Sequence, residues 1–345
     1  MLFQMTARTS ILAGFALAAG VSLMAISAAH ADEKIDACDT AAAARFDKDR
    51  PSAVTPVELS KIDVAKATEA CEAAVTANPS ERRVVYELGR AYLAAKNYPQ
   101  AYETIKKASD MGSAMATSDL ASMTELGFGT TKDAAAARAL SEKAADADNP
   151  QAQFNLAIML MAGKGGAKDL PKARTLLEKA VAAQVPKAAG RLGYMQELGA
   201  GGPVDLEKAR ANYVACSNDP MPNVGQPVCQ RRLGFLMDTG KLGRTDATAA
   251  KILFEKSAAA GDVDSMRALG QVYAMGKGVP KDYAKARDFY EKAAAKGDSG
   301  AMRLLAGLYE KGLGVPRDAN QARQWLEKAK SAAESEKALK EAGAL

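Results

Sequence analysis

Few residues in this chain have the means to do chemistry beyond packing. Histidine occurs once, as His30, among 345 residues. The four cysteines, Cys38, Cys71, Cys216 and Cys229, include no C-x-x-C pair. That spacing argues against zinc ribbons and dithiol redox centres and points an even cysteine count towards structural disulfides. A column of aspartates, Asp133, Asp169, Asp205, Asp246, Asp282 and Asp318, invites a carboxylate reading, either acid–base catalysis or calcium binding. Stacked carboxylates a whole repeat apart stand too far from one another for an acid–base pair, and helix N-capping uses the same residue type more simply. The chain contains no G-x-x-x-x-G-K-[ST], no S-x-x-K, no G-x-S-x-G and no H-E-x-x-H, so the common phosphate, acyl-transfer and zinc-hydrolase motifs are missing. We expect no catalytic residue, no metal site and no cofactor.

The N-terminus narrows the chemistry further. Arg8 is the one charge before an apolar run from Ile11 to Ile26, and Ala29-His30-Ala31 follows. This is the pattern of a secretory signal cleaved after Ala31; sixteen apolar residues are short for a retained span of about 20. The predicted mature chain has 314 residues, a net charge of +4 and no histidine, which removes Ser-His-Asp, Cys-His and histidine–metal arrangements together. No later segment reads as a membrane span. The expected compartment is the periplasm of a Gram-negative cell, with secretion as the alternative. In such a compartment Cys38 pairs with Cys71, in the neighbouring N-terminal segment, and Cys216 with Cys229 across a local insertion; four buried free thiols are the alternative. Cys38 follows Lys-Ile-Asp-Ala and has no lipid-attachment context. With 48% hydrophobic, 25% charged and 6% aromatic residues and a net charge of +5, the chain lacks the strongly basic face that binds nucleic acid.

The elements that carry these residues repeat. Leucines followed by small residues recur at Leu120, Leu156, Leu192, Leu233, Leu269 and Leu305, at intervals of 36, 36, 41, 36 and 36. Ala137, Ala173, Ala209, Ala250, Ala286 and Ala322, each before Arg or Lys, share those intervals, as do Gly127, Gly163, Gly199, Gly240, Gly276, Gly312 and the aspartates. A period of this length means stacked supersecondary units. Met266, Leu269, Val272 and Tyr273 mark the apolar face of a first helix, Gly276-Lys277-Gly278-Val279-Pro280 stops it, and Asp282 caps a second helix carrying Ala286, Phe289, Tyr290, Ala293 and Ala294. No unit buries its apolar face alone, so stacking makes the core. The basic column Arg138, Arg174, Arg210, Lys251, Arg287 and Arg323 has Glu142, Glu178, Glu255, Glu291 and Glu327 four residues further on and reads as a solvated, paired face.

Ala268-Leu269-Gly270, Tyr273, Gly276, Gly278-Val279, Asp282, Lys285-Ala286 and Phe289-Tyr290-Glu291-Lys292-Ala293-Ala294 resemble the Sel1-like repeat family, relatives of tetratricopeptide repeats. The resemblance implies an all-α, right-handed solenoid of helix-turn-helix repeats. It covers six units over 113–334, weakening at Leu242, which replaces the second loop glycine, and at the extra length of 216–229. Upstream, Leu88-Gly89, Tyr92, Ala101, Ile105 and Ala108 mark a shorter tetratricopeptide-like unit over 79–112. Residues 32–78 form a degenerate helical cap with a proline-bearing loop at 46–56, and 335–345 a C-terminal tail that continues a capping helix.

In the register that the resemblance implies, positions two before and two after each repeat leucine line a groove. They place Phe154, Ile158, Tyr194, Arg231, Phe235, Arg267, Gln271 and Arg303 there, an aromatic and aliphatic middle passing into an arginine row suited to an acidic protein segment. Exported members of the family act as adaptors and regulators, so the expected function is a periplasmic interaction scaffold, a regulator of an envelope sensor or process, without enzymatic activity. Cell-wall glycan is the alternative ligand, and a β-lactam-interacting enzyme the lesser alternative. The family's cysteine-rich, β-lactam-linked members carry a cysteine pair in every repeat; this chain departs from that pattern.

Overall fold

The computed structural model describes residues 32–218, 225–243 and 245–341. The signal-like segment 1–31, with Arg8, His30 and the expected cleavage point, lies outside the described residues, as do the centre of the insertion and Gly343. Among the described residues every regular element is helical. The chain divides into two compact units, Met1–Ala183 and Gln184–Leu345.

The first unit comprises α1 (32–42), a 3-10 turn Leu59–Lys61, α2 Val64–Ala77, α3 Arg82–Ala94, α4 Tyr98–Asp110, α5 Ala114–Leu126, α6 Ala134–Asp146, α7 Pro150–Ala162 and α8 Leu170–Ala182. The second comprises α9 Ala188–Leu198, α10 Leu206–Ser217, α11 Gln226–Thr239, α12 Ala247–Ala259, α13 Val263–Met275, α14 Tyr283–Ala295, α15 Ser299–Lys311 and α16 Ala319–Glu341. From α3 onward the odd-numbered helix opens each pair (the A helix) and the even-numbered one closes it (the B helix). Within a unit each helix from α2 or α9 on packs against its successor. Each unit is therefore an all-α solenoid of stacked hairpins.

The loop chemistry follows from the sequence columns. The glycine after each repeat A helix ends it in the left-handed region, with φ from 67° to 77°, where a β-carbon is strained. The second loop glycine does a different job. A Cβ on Gly314 would fall 2.7 Å from the Tyr283 carbonyl carbon, because the loop touches the B helix of the preceding pair. Where Leu242 takes that place, Gly243 carries the positive φ with nothing within 4 Å, so the departure loosens one loop without breaking the hairpin. In the shorter α3–α4 turn, Lys96 holds a φ of 58° and does the work of the missing loop.

Inside each repeat the residue after the leucine is matched in size to the residue 20 positions on. Gly193, Gly234 and Gly270 face Tyr213, Phe254 and Tyr290, whereas alanine stands at 121, 157 and 306 where the partner position holds Ser141, Leu177 or Leu326. The ring occupies the volume that the missing methyl group leaves free, and Tyr213, Phe254 and Tyr290 are at most 2% exposed.

Two elements depart from the repeat pattern. The last B helix runs unbroken to Glu341, continuing through the segment read as a capping helix, because Ala333 stands where Gly261 and Gly297, at φ 94° and 89°, terminate α12 and α14. The A helix of the third repeat starts late, at Ala188, since Val185-Pro186 replaces the capping residue and Lys187 enters at φ 72° without a side-chain cap.

Candidate functional site

The aspartate column is held by its own helices. Asp133 accepts from the Ala135 and Ala136 amides, Asp169 from Lys172, Asp205 from Lys208, Asp246 from Ala249, Asp282 from Lys285, and Asp318 from Asn320 and Gln321, at 2.9–3.0 Å. The Lys285 amide, its first cause, holds the Asp282 carboxyl below the ordinary value. Each carboxylate thus has a partner that fixes it at a helix start. The B-helix cations are likewise engaged: Arg138 with Glu142 at 3.3 Å, Arg174 with Glu178, Lys251 with Glu255 at 2.7 Å, and Arg287 with Glu291.

Cys38 on α1 is bonded to Cys71 on α2, and Cys216 on α10 to Cys229 on α11. Closing loops of this length contributes about 3 to 4 kcal/mol each in the chain-entropy model. The second disulfide lies against α9, where a Cβ on Gly190 would meet Cys229 Sγ at 2.7 Å. The first borders an acidic core. Glu87 on α3 is fully buried, with Oε2 at 3.2 Å from Cys38 Sγ. Burial first, and then the neighbouring Asp39, pushes the Glu87 carboxyl up to about 9, so it is protonated at neutral pH. Asp39, also buried, is ion-paired with Arg83 at 2.9 Å, and Arg90 donates to the carbonyls of Ala42 and Val57. Cys38, Cys71 and Glu87 form a metal-like grouping in space, but both sulfurs are committed to the disulfide and the carboxyl holds its proton. The donor set does not fit a divalent ion.

The expected groove residues fall in both units. In the first, Phe154 and Ile158 lie half-buried on α7. In the second, Tyr194 on α9 is half-buried with the Arg232 guanidinium 4.3 Å from its ring centroid. Phe235 on α11 meets Phe254 edge-on with centroids 5.0 Å apart, and Gln271 is half-buried on α13.

The arginine row differs from its sequence reading. Arg231 pairs with Asp262 at 3.2 Å and Asp264 at 2.8 Å; Arg267 pairs with Asp264 at 2.5 Å and with Asp298. Asp262 and Asp298 are the N-caps of α13 and α15, so each guanidinium reaches from its own A helix to the start of the next one. Arg231 and Arg267 are neutralised inside the chain and are not free to grip an acidic segment. Arg303, by contrast, is exposed and donates to Ser299 Oγ at 3.3 Å.

These A-helix caps, Ser113, Asn149, Asp262 and Asp298, each accept the amide three residues on. Their intervals of 36 between Ser113 and Asn149, and between Asp262 and Asp298, carried a signal that the aspartate column alone did not.

The first unit also holds a cleft of about 540 Å³, lined by none of the eight residues named for the groove. Tyr98 at the start of α4 stacks on Phe128 after α5, centroids 4.4 Å apart. This wall forms because Gly129, at φ 72°, lies against the Tyr98 carbonyl where a Cβ could not fit. Leu93, Met123 and Leu126 complete the apolar lining, with Leu126 50% exposed. Asp119 also lines the cleft. It accepts the Tyr86 hydroxyl on Oδ2 at 2.8 Å, and burial, its largest cause, raises its carboxyl above the ordinary value.

A profile of the Sel1 repeat matches residues 114–149, 150–184, 186–213, 227–262, 263–298 and 299–333. Among solved structures, the chain is similar to a protective antigen present in uropathogenic Escherichia coli strains, described as displaying an SLR fold, at 26% identity and a TM-score of 0.67. The match covers 79% of this chain and 58% of that one, so the chain spans somewhat over half the antigen's length. It is also similar to a Sel1 repeat protein from Oxalobacter formigenes, at 26% identity and a TM-score of 0.63, covering 71% of this chain and 96% of that one. No curated protein matches the chain.

Proposed function

The chain belongs to the Sel1 repeat family, a family of non-catalytic scaffolds that generally bind proteins, and from that premise we propose an exported scaffold that holds a segment of an envelope protein against its A helices. The observation that carries this reading is an internal comparison of the repeats. Positions that recur from unit to unit are occupied in building the frame, as glycine turns, N-caps and paired cations. The positions flanking each repeat leucine vary far more: Ser118 and Ser122, Phe154 and Ile158, Gly190 and Tyr194, Arg231 and Phe235, Arg267 and Gln271, Arg303 and Gly307, with arginine recurring in the last three units, where Arg231 and Arg267 join the frame. A constant frame presenting a varied face is what recognition of one particular partner requires.

Export is supported by two disulfides, which persist in oxidising compartments. No helix among the described residues is long and apolar enough to cross a membrane. A role as regulator of an envelope process follows from the same reading. Glycan binding is less favoured, because sugar stacking needs open ring faces whereas Tyr194 is covered by Arg232 and Phe235 is turned onto Phe254.

Photo-crosslinking in the cell envelope tests the reading. A photoreactive residue at Ile158 or Tyr194 traps one defined protein adduct, and the same group at Lys172 or Lys208, on the exposed B-helix face, does not. Equal adducts from both faces refute the A-helix assignment. Recovery of the disulfide-bonded chain in the cytosolic fraction refutes export.

A further inference from the structure

We propose that the cleft between α3 and α5 of the first unit is a docking site for an arginine side chain presented by a protein segment. This inference rests on the scaffold reading and adds the chemistry of its partner.

The floor of the cleft carries an incompletely used carboxylate. Asp119 Oδ2 accepts the Tyr86 hydroxyl, while Oδ1 has no hydrogen-bond partner among the described residues. Lys96, which lines the rim and is exposed, is not within ion-pair distance of it. Arg90 is the cation nearest in influence, and its guanidinium donates to the backbone carbonyls of Ala42 and Val57. The carboxylate therefore lacks a direct cationic partner, and a guanidinium bonds a carboxylate oxygen through charge-assisted hydrogen bonds.

The walls select the kind of cation. Leu93, Met123 and Leu126 offer apolar surface along which an aliphatic stem lies, and the stacked Tyr98 and Phe128 rings offer an aromatic wall. A guanidinium is planar, stacks on aromatic rings and bonds carboxylates through a fork of donors. An arginine side chain meets all three features at once. At the rim, Lys96 suits a backbone carbonyl or an acidic residue beside that arginine.

The open shape identifies the carrier. A site for a free small molecule buries most of its ligand, but here Leu59 and Leu126 stand 39% and 50% exposed on the borders of the cleft. Such apolar rims suit a chain passing over the cleft, with one side chain inserted and its neighbours on the leucines. The charge of the units agrees. Residues 32–183 hold 20 basic and 22 acidic residues, a net −2, against 25 and 19, a net +6, for 184–345; a basic segment is therefore steered to the first unit.

The test uses the full mature chain labelled with ¹³C at its methionine methyl groups, read at Met123, with Met266 and Met302 in the second unit as folding controls. The probes are acetyl-Leu-Arg-Leu-amide, acetyl-Leu-Gln-Leu-amide and spermidine. The arginine peptide moves the Met123 resonance saturably. Its dissociation constant rises at least tenfold in Asp119→Asn, which keeps an acceptor for Tyr86, and the glutamine peptide binds at least tenfold more weakly than the arginine peptide. Equal binding of the two peptides, an unchanged affinity in Asp119→Asn, or no shift with any probe overturns the proposal. Tighter binding of spermidine than of the arginine peptide overturns the protein-segment occupant. Crosslinking from Ile158 and Tyr194 is read separately, so a failed cleft with an intact adduct leaves the scaffold reading standing.

Discussion

The matching of Gly234 to Phe254 makes a demanding test of how the repeats are built. Adding a methyl group at Gly234 places a Cβ 2.7 Å from Phe254 Cε1 and 3.0 Å from Cδ1. Carbon contacts are comfortable from about 3.5 Å, so the ring must retreat by roughly 0.8 Å. It has nowhere open to go, being 1% exposed and already edge-on to Phe235. Overpacking of this kind costs about 1 to 3 kcal/mol, and the better helix propensity of alanine returns about 1 kcal/mol. Gly234→Ala alone therefore destabilises by about 0 to 2 kcal/mol. Phe254→Leu alone loses ring contacts and leaves a void beside glycine, costing about 1 to 3 kcal/mol.

The double variant recreates the Ala157 and Leu177 pair of the second repeat. In it the methyl group fills space that the smaller side chain vacates, so the two changes offset one another. The expected coupling is at least about 1.5 kcal/mol in favour of the double variant. Urea titration gives the four stabilities, with helical circular dichroism followed alongside the fluorescence of Trp325, the sole tryptophan, which packs in the second unit's core. Two probes are needed because two compact units need not unfold together. Additive effects, within about 0.5 kcal/mol, refute the claim that this pair is a fitted unit.

Two further predictions concern buried charge. The raised carboxyl of Glu87 keeps its proton in the folded chain up to about pH 9, whereas the unfolded chain releases it near pH 4.3. Between those values the folded state binds the extra proton, so this group's contribution to stability falls as pH rises, by about 1.4 kcal/mol per pH unit at full linkage. Glu87→Gln removes that slope: urea midpoints from pH 5 to 8 fall less in the variant than in the parent, and parallel curves contradict the assignment. Separately, Arg267→Glu places a third acid beside Asp264 and Asp298 and lowers stability by about 2 to 4 kcal/mol, whereas Arg303→Glu, at an exposed position, changes it by less than about 0.5 kcal/mol. Similar losses in the two variants show that the arginine ladder does no structural work.

Much of the frame was legible because it repeats. Leu269, Gly276, Asp282 and Ala286 each recur at the same interval, and a helix, a left-handed stop and a cap follow from residue type and place. The cysteine pairs were legible from position along the chain. The arginine row misled because its residues were read in the register of their own helix. Arg231 and Arg267 are answered by Asp262, Asp264 and Asp298, whose meaning depends on the next A helix beginning beside them. The length of α16 turns on a single exchange, Ala333 for glycine, which registers only against the repeats before it.

The cleft was illegible for a different reason. Its polar floor comes from Asp119 in the first full repeat, one ring from Tyr98 in the shorter pair, and one rim from Leu59 in a turn that no repeat shares. No column passes through all three. That irregularity is itself informative about where recognition belongs. In the second unit the charges flanking the repeat leucines are largely satisfied by the next helix, so a partner there must displace ion pairs before making its own, and the exchange yields little net affinity. In the first unit a carboxylate oxygen, two exposed leucines and an aromatic wall meet in one cleft. An incoming segment buries apolar surface and completes an existing half-pair without breaking anything. The physical expectation is that affinity concentrates in the first unit.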